Sequence, residues 1–402
     1  MSLIELIGID SPLLNDRQRQ LLQTCSLIVV SRRHRPLVAD MGIPLLDITP
    51  LDAMIASVTK QLAQGKVAIL ASGDPLFYGI GRKVLDHFGK NMVCVHPALS
   101  AVQLACARFA VAWDDIRIVS LHGRQGHEIA GRILGSPRTL LFTDHINSPD
   151  FVAKHLMTLL THYQDRQRLA AIRIEVAENL GLADEKLTSG TLEEIAAQKF
   201  SPLNMMLVSQ PEAVQHTSFG LTEPEIAHSR GLITKDEIRA VSLHKLSLPR
   251  QGVLWDIGGG SGSISLEAAR INPKLTVFTV EKKPEEQDNI RANVRHYGTY
   301  SVHLVCQEAP EALHDLPDPD RVFIGGSGSR LEEIITHVVP RLREGGRILI
   351  NAVLDQTRTT AINCLERSGL HIQSSTLAVT RYTHPDRTPT VLNPITLILG
   401  KK

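Results

Sequence analysis

The sequence predicts an α/β fold in two successive units, with strands and helices in alternating layers and largely parallel sheet. Three observations predict it. Short β-rich apolar runs alternate with helix-period stretches, the pattern of buried parallel strands joined by crossover helices. The alternation breaks once, at the polar, proline-bearing stretch 210–230, and then restarts. A chain of 402 residues, 43% hydrophobic and 21% charged, is long and apolar enough for two or three domains with their own cores.

In the first unit, 1–210, the runs 3–8, 27–30, 66–71, 92–95, 116–120 and 139–142 read as buried strands. Helix-period segments lie at 51–64, 79–88 and 100–109, and a helix follows Pro149. Further strands are expected at 172–176 and 205–208. Residues 211–230 read as a linker. In the second unit, 231–402, strands are expected at 253–257, 276–280, 302–305, 321–324 and 347–351. Helices are expected at 235–246, 263–270, 285–297, 331–341 and 357–368. No solenoid repeat or low-complexity tract interrupts the pattern.

Composition excludes several classes. A formal net charge of +1 provides no global field for nucleic acid. No uncharged apolar run approaches the roughly 18 residues that span a bilayer, and the start, MSLIELIGID, reads as a first strand and not as a signal peptide. Cys25, Cys94, Cys106, Cys306 and Cys364 are scattered, with no C-x-x-C pair. They read as free thiols of a reducing cytosol, hence a cytoplasmic protein. Seventeen histidines include no H-E-x-x-H and no His/Cys cluster at ligand spacing. His122 and His127 bracket a glycine-containing turn and read as structural, so no metal is expected.

The strongest local signal is LWDIGGGSGS, residues 254–263. Apolar residues run into Asp256, then Gly258, Gly260 and Gly262 alternate, and a helix follows. Glycines let the backbone turn sharply and approach a ligand, and the helix start offers free N–H groups to an anion. A dinucleotide loop, G-x-G-x-x-G, fails at Ser263 when counted from Gly258 and at Ser265 when counted from Gly260. The order D-x-G-x-G-x-G suits S-adenosylmethionine, whose carboxylate would meet the turn spanning Gly258, Gly259, Gly260, Ser261 and Gly262. Glu281, ending the next strand, is placed to accept from ribose hydroxyls. An acid there serves either ligand class.

These residues also carry a resemblance. GLITKDEIRAVSL (231–243), LWDIGGGSGSISLEAAR (254–270), EAPEAL (308–313), FIGGSGSRL (323–331) and GGRILINAV (345–353) occur in order. Together they resemble the C-terminal half of the decarboxylating precorrin-6Y C5,15-methyltransferases. Gly259 stands where an alanine or cysteine is usual, and Gln307 where a glycine is usual. The resemblance implies a Rossmann-like class I methyltransferase fold in which Thr234, the 258–262 loop, Glu281, Glu308 and Ala309 touch the methyl donor. In the first unit, ILASGDPLFYGIG (69–81) resembles the tetrapyrrole methylases, whose fold holds S-adenosylmethionine between two α/β lobes. VSLHGR (119–124), EVAENLGLADEKLTSGTL (175–192) and LNMMLVSQ (203–210) extend that likeness. It implies donor contacts at Gly73, Asp74 and Ser100.

Two stretches depart from the pattern. Gly8 is followed by Ile9, Asp10, Ser11 and Pro12 where the family has Gly-x-Gly-Pro-Gly, and Pro97, Ala98 and Leu99 precede Ser100 where it has Pro-Gly before Ser-Ser. Side chains there narrow the allowed backbone. The resemblance thus implies methylation of a precorrin at C5 by the first unit, and at C15 with loss of the ring-C acetate carboxyl by the second, in cobalamin biosynthesis. It also implies assembly into a homo-oligomer.

Methyl transfer from a sulfonium to a carbon nucleophile needs positioning and dryness more than acid–base groups, and no general acid or base is named. A substrate rich in carboxylates wants basic side chains. Lys235 and Arg239, one helical turn apart, are the candidates nearest the loop, with Arg230 beside them. Ser327 and Asn351, at strand ends facing the donor site, are candidates for touching substrate. The run Arg32, Arg33, His34, Arg35 reads as a surface loop ahead of a carboxylate clamp. Two alternatives stand: catalysis confined to the second unit with the first a docking module, and a nicotinamide oxidoreductase, which the failed dinucleotide loop opposes.

Overall fold

The computed structural model describes residues 3–122, 126–211, 219–231 and 233–402. Strands β1 (Ile4–Ile9), β2 (Leu27–Val30), β3 (Leu45–Asp47), β4 (Val67–Ser72) and β5 (Val93–His96) form an all-parallel sheet in the order β3-β2-β4-β1-β5. Alternate residues feed the two faces, Ile4 and Leu6 on one, Ile7 and Ile9 on the other, so β1 is buried throughout. This is why its sequence reads as an apolar run, with Glu5 the one charged residue in it.

A second sheet joins β6 (Arg117–Ser120), β7 (Arg138–Phe142), β8 (Arg173–Glu178), β9 (Lys186–Gly190) and β10 (Asn204–Ser209) in the order β6-β7-β10-β8-β9. Only β6 and β7 run parallel, and the other pairings are antiparallel. The expectation of largely parallel sheet fails here. Apolar runs report burial on both faces but carry no sign of strand direction.

The third sheet comprises β11 (Gly252–Ile257), β12 (Leu275–Val280), β13 (Val302–Val305), β14 (Arg321–Ile324) and β15 (Arg347–Ala352), then β16 (His371–Leu377) and, beyond the hairpin of β17 (Thr380–Thr383) and β18 (Thr388–Val391), β19 (Ile395–Lys401). Its order is β13-β12-β11-β14-β15-β19-β16, and β19 runs antiparallel to both neighbours. From β11 the chain goes first to β12 on one side and later to β14 on the other. That reversal opens a crevice at the carboxyl ends of the strands, where open α/β sheets take their ligands.

The halves share one core. Ile133, Leu156 and Tyr163 of the first half pack in the same cluster as Tyr300, Val302 and Leu304 of the second. The expected linker is only partly a connector. Residues 212–218 lie outside the described residues, but Leu221 and Ile226 are buried against Leu266. The buried Glu267 carboxylate accepts from the N–H groups of Gly220 (3.2 Å) and Leu221 (2.7 Å). From Gly220 onward the chain packs on the second unit. The turn between His122 and His127 includes residues 123–125, which lie outside the described residues. All five cysteines are free, and among the described residues no helix is long and apolar enough to cross a membrane.

Candidate active site

The crevice of the third sheet is a cavity of about 910 Å³. Four strand ends build it: Ile257–Ser261 after β11, Val280–Lys283 after β12, Phe323–Gly328 after β14, and Asn351 with Val353 from β15. Gln307, Glu308 and Ala309 close one side, Ile233, Thr234 and Lys235 another, and Val391, Leu392 and Asn393 reach over from the hairpin.

The loop after β11 fits this place only as glycine. A Cβ on Gly258 would stand 2.0 Å from the Gly326 carbonyl oxygen, and its φ of +70° is left-handed. The N–H groups of Gly258 and Gly259 are held by the Val280 carbonyl, at 3.0 and 3.1 Å. Gly259 faces the Thr279 methyl, which would lie 2.3 Å from an added Cβ. An alanine or cysteine at this position would thus find its room taken by Thr279. The loop lies open on its crevice side, the shape that an approaching ligand backbone or carboxylate requires.

Two acids brace the loop. Glu281, buried, accepts from the N–H of Gly260 (2.9 Å) and, with its other oxygen, from that of Lys283 (2.9 Å), and it lines the cavity. Asp256 sits behind the loop, 1% exposed, and its Oδ2 accepts from the Ser265 N–H (3.2 Å) and hydroxyl (2.6 Å). Its Oδ1 has no protein partner. Burial pushes the Asp256 carboxyl up to about 6, Ser265 holds it back and the nearby Glu281 raises it further. Ser261 Oγ and Asn351 Oδ1 are likewise buried without a partner, and both residues line the cavity.

Of the expected donor contacts, Thr234, Gly258, Gly259, Gly260, Ser261, Glu281, Glu308 and Ala309 line this one cavity, as do Lys235, Ser327 and Asn351. Asp256 and Gly262 stand behind it, with Gly262 capping the helix Ser263–Ile271. The basic candidates need correction. Arg239 is 2% exposed and does not reach the crevice. Its guanidinium donates to the Leu221 and Thr234 carbonyls and to Asp236, beside Glu267, holding the incoming segment. Lys235 donates to Glu223 at 2.6 Å. Against the cost of burying it, Lys235 and Arg381 together hold the Glu223 carboxyl below the usual range. Arg230 pairs loosely with Glu285 at 3.5 Å. Sequence reading missed Lys282, which binds Glu308 at 2.6 Å, and Lys283.

A second cavity, about 600 Å³, lies between the two sheets of the first half. Ile9–Pro12, Ser72, Gly73 and Leu99 come from the first sheet, and Phe142–His145, Ala177 and Asn204 from the second. Gly73 lines it with φ +61°, and a Cβ on Gly8 would stand 2.3 Å from the Gly73 oxygen, so the two loops touch. Asp74 and Ser100 do not line it. Asp74 Oδ1 accepts from the Leu76 N–H (2.9 Å) inside its own turn. Ser100 caps the helix Ala101–Phe109, its Oγ accepting from Gln103 N. Both make the local hydrogen bonds usual for Asp in turns and Ser at helix starts.

Arg33 and His34 follow β2 on a helical turn, Arg32–Met41, and line this cavity, so the run read as a surface loop supplies a cation to a pocket. Burial drives His34 down to about 4, with the adjacent Arg33 adding to the effect. Arg33 remains open to solvent within the concavity and donates to Ser72. The signal was positional: residues immediately after a parallel strand stand at the ligand end of the sheet. Asp10 Oδ2 accepts from the Leu99 N–H (2.9 Å) at the same wall.

Two family models match the chain. One, described as tetrapyrrole (corrin/porphyrin) methylases, matches residues 7–196, and the other, described as the precorrin methyltransferase domain, matches residues 225–384. A curated precorrin-6Y C(5,15)-methyltransferase (decarboxylating) from Sinorhizobium sp is 30% identical over 363 residues, 89% of this chain and 85% of the relative. A probable cobalt-precorrin-6B C(15)-methyltransferase (decarboxylating) from Sulfolobus acidocaldarius is 34% identical over 174 residues, 42% of this chain and 90% of its own. The crystal structure of precorrin-6Y C5,15-methyltransferase from Geobacter metallireducens is 42% identical, covering 47% of this chain and 100% of its own with a TM-score of 0.46.

Proposed function

Because the chain belongs to the decarboxylating precorrin-6Y C(5,15)-methyltransferase family, we propose that it adds two methyl groups to a precorrin, at C5 and C15. The ring-C acetate arm loses its carboxyl in the same sequence of reactions, a step of cobalamin biosynthesis. The first unit, to residue 210, carries C5 methylation. The second, drawn from Gly220 because that segment packs on it, carries C15 methylation and decarboxylation.

The observation that carries this reading is the glycine turn at Gly258, where a single Cβ would collide with the Gly326 backbone and force apart the two loops that line the crevice. Unpartnered Ser261 Oγ and the Glu281 carboxylate, both at the cavity wall, fit the polar groups of S-adenosylmethionine. When bound, that cofactor supplies a methyl group on a sulfonium leaving group. The chain's own residues bind, orient and exclude water. Glu281 and the loop fix the position from which a methyl is given, and Ala309 with Ile257 and Ile264 keeps the wall apolar. Asn351 and Ser327 offer hydrogen bonds to the acceptor at the opposite strand ends. In the first unit, Gly73 and the Arg33 guanidinium are the corresponding groups for a ligand bearing carboxylates.

Mass spectrometry of the product tests this. The full chain should add two methyls and release one carbon dioxide, and Gly258→Ala should leave a product with one methyl and its carboxyl. One methyl from the full chain, unchanged in Gly258→Ala, would overturn the C15 assignment. A specific observation favours a second reading, in which the first unit only docks the substrate: Asp10 places a carboxylate in the wall of its cavity. In that case the full chain adds one methyl, and Gly258→Ala adds none.

A further inference from the structure

Outside both cavities, three metal-binding side chain types meet on one face of the first sheet. β1 and β5 run parallel, with Glu5 opposite Cys94 and Ile7 opposite His96. Side chains alternate along a strand, so Cys94 and His96 share a face. Glu5, Cys94 and His96 each bring one ligand atom to within 4.8 Å of the others. Glu5 is 5% exposed, while Cys94 and His96 are half-buried at the sheet edge, leaving a way in from solvent.

We propose that Glu5, Cys94 and His96 bind one divalent transition-metal ion of the zinc or cobalt type, with water at the fourth position. The donor set selects the ion. A thiolate, an imidazole and a carboxylate suit zinc and cobaltous ions, whereas magnesium and calcium require oxygen shells. The geometry needs little change. His96 Nε2 stands 2.8 Å from Glu5 Oε2, a hydrogen bond. Two such ligands around a tetrahedral ion are about 3.4 Å apart, so the ion replaces the shared proton after an opening of about half an ångström. Glu5 Oε1 accepts from Lys66 Nζ at 3.1 Å. That bond orients the carboxylate and leaves Oε2 free to ligate, the usual arrangement behind a metal-binding carboxylate. Cys94 would ligate as the thiolate, its proton passing to solvent.

Spacing along the chain concealed this group, because Glu5 comes from a strand remote from Cys94 and His96. The ion would clip the edge strand β5 to β1. Three residues beyond His96, the Leu99 N–H is held by Asp10, just past β1, at the wall of the first-half cavity. The same two strands would thus be tied at two levels, one of them bordering that cavity.

The test is cobalt titration of the full chain, without an affinity tag and with a phosphine reductant. One equivalent should bind and give a near-ultraviolet thiolate-to-cobalt charge-transfer band. Cys94→Ser should abolish the band and His96→Gln should weaken binding at least tenfold, while Cys306→Ser leaves both unchanged. Zinc should displace the cobalt. Cys94→Ser should melt at the parent temperature in the presence of chelator, because the Glu5–His96 hydrogen bond is then intact. No band at tenfold excess cobalt, or a band that persists in Cys94→Ser, would overturn the site.

Discussion

The hydroxyl of Tyr163 donates to the Val302 carbonyl. The same oxygen accepts from the Leu304 N–H at 3.0 Å. β13 is the edge strand of the third sheet, and Tyr163 occupies the place of a next strand. Around it, Arg291 donates to the His162 carbonyl (3.1 Å) and Arg295 to that of Tyr163 (2.7 Å), while Tyr300 donates to Asp165. An uncovered strand edge is a pairing hazard, so the first half shields the second where β13 leads into the cavity wall at Gln307. Tyr163→Phe would leave a buried donor and a buried acceptor unpaired, a loss of about 1–3 kcal/mol. Reversible urea unfolding measures it. An unchanged midpoint would mean that water replaces the phenol.

His34 ties the stability of the first half to pH. Its folded value of about 4 lies below the 6.5 of the free side chain. Between those limits the unfolded chain binds more protons, so stability rises with pH. The contribution is complete above pH 6.5 and is lost as pH falls through the window toward 4. From pH 7 to pH 5 the parent should lose about 2 kcal/mol from this group, an upper bound because part of the ring environment is wet. His34→Gln should flatten that limb in urea titrations at the two pH values. An equal loss in both proteins would assign the acid limb to other groups.

The orphaned acceptor of Asn351 makes a separate prediction. Its Oδ1 lacks a partner within the protein and faces the cavity of the second half. Asn351→Ala removes an unpaired polar atom, so unfolding free energy should change by less than about 1 kcal/mol. If the acceptor serves the tetrapyrrole, kcat/KM for C15 methylation should fall about tenfold or more, with donor affinity retained. A variant that lost donor affinity and kept turnover would move Asn351 to the donor side of the cavity.

Much of the fold was legible because parallel strands are buried on both faces and read as apolar runs, as in β1, β4 and β11. Most strands that escaped lie at edges or in the hairpin, with β19, buried between β15 and β16, the exception. β16 alternates half-buried and exposed residues and β18 is exposed throughout, so neither contrasts with a loop. The glycine loop was legible because its requirement is local: one residue, Gly258, against one carbonyl. Arg239 was misread for the opposite reason. Its helix position is evident in the sequence, but what covers that face, the chain at Leu221, comes from outside the helix. The cavity of the first half was harder still, since Arg33, Asp144 and Asn204 meet only through the pairing of remote strands.

Removing the Asp256 charge should relieve a stability cost and weaken donor binding, and pH separates the two. Its folded value of about 6 lies above the reference 3.8, because burial disfavours the anion. Between those values the folded chain binds more protons, so stability falls as pH rises from 3.8 through 6 and stays lowered above. The shift corresponds to at most about 3 kcal/mol. Asn retains the bond to Ser265 but brings an amide to the unpartnered Oδ1 position, which offsets part of the gain. Asp256→Asn should therefore be about 1–2 kcal/mol more stable than the parent at pH 8 and indistinguishable at pH 4. Donor binding to the glycine loop should weaken, because a neutral amide with a donor at the Oδ1 position replaces the carboxylate behind the loop. Calorimetric unfolding at the two pH values checks the first statement and titration with S-adenosylhomocysteine the second. A variant less stable than the parent at pH 8 would show that the ionised carboxylate has a favourable partner when folded.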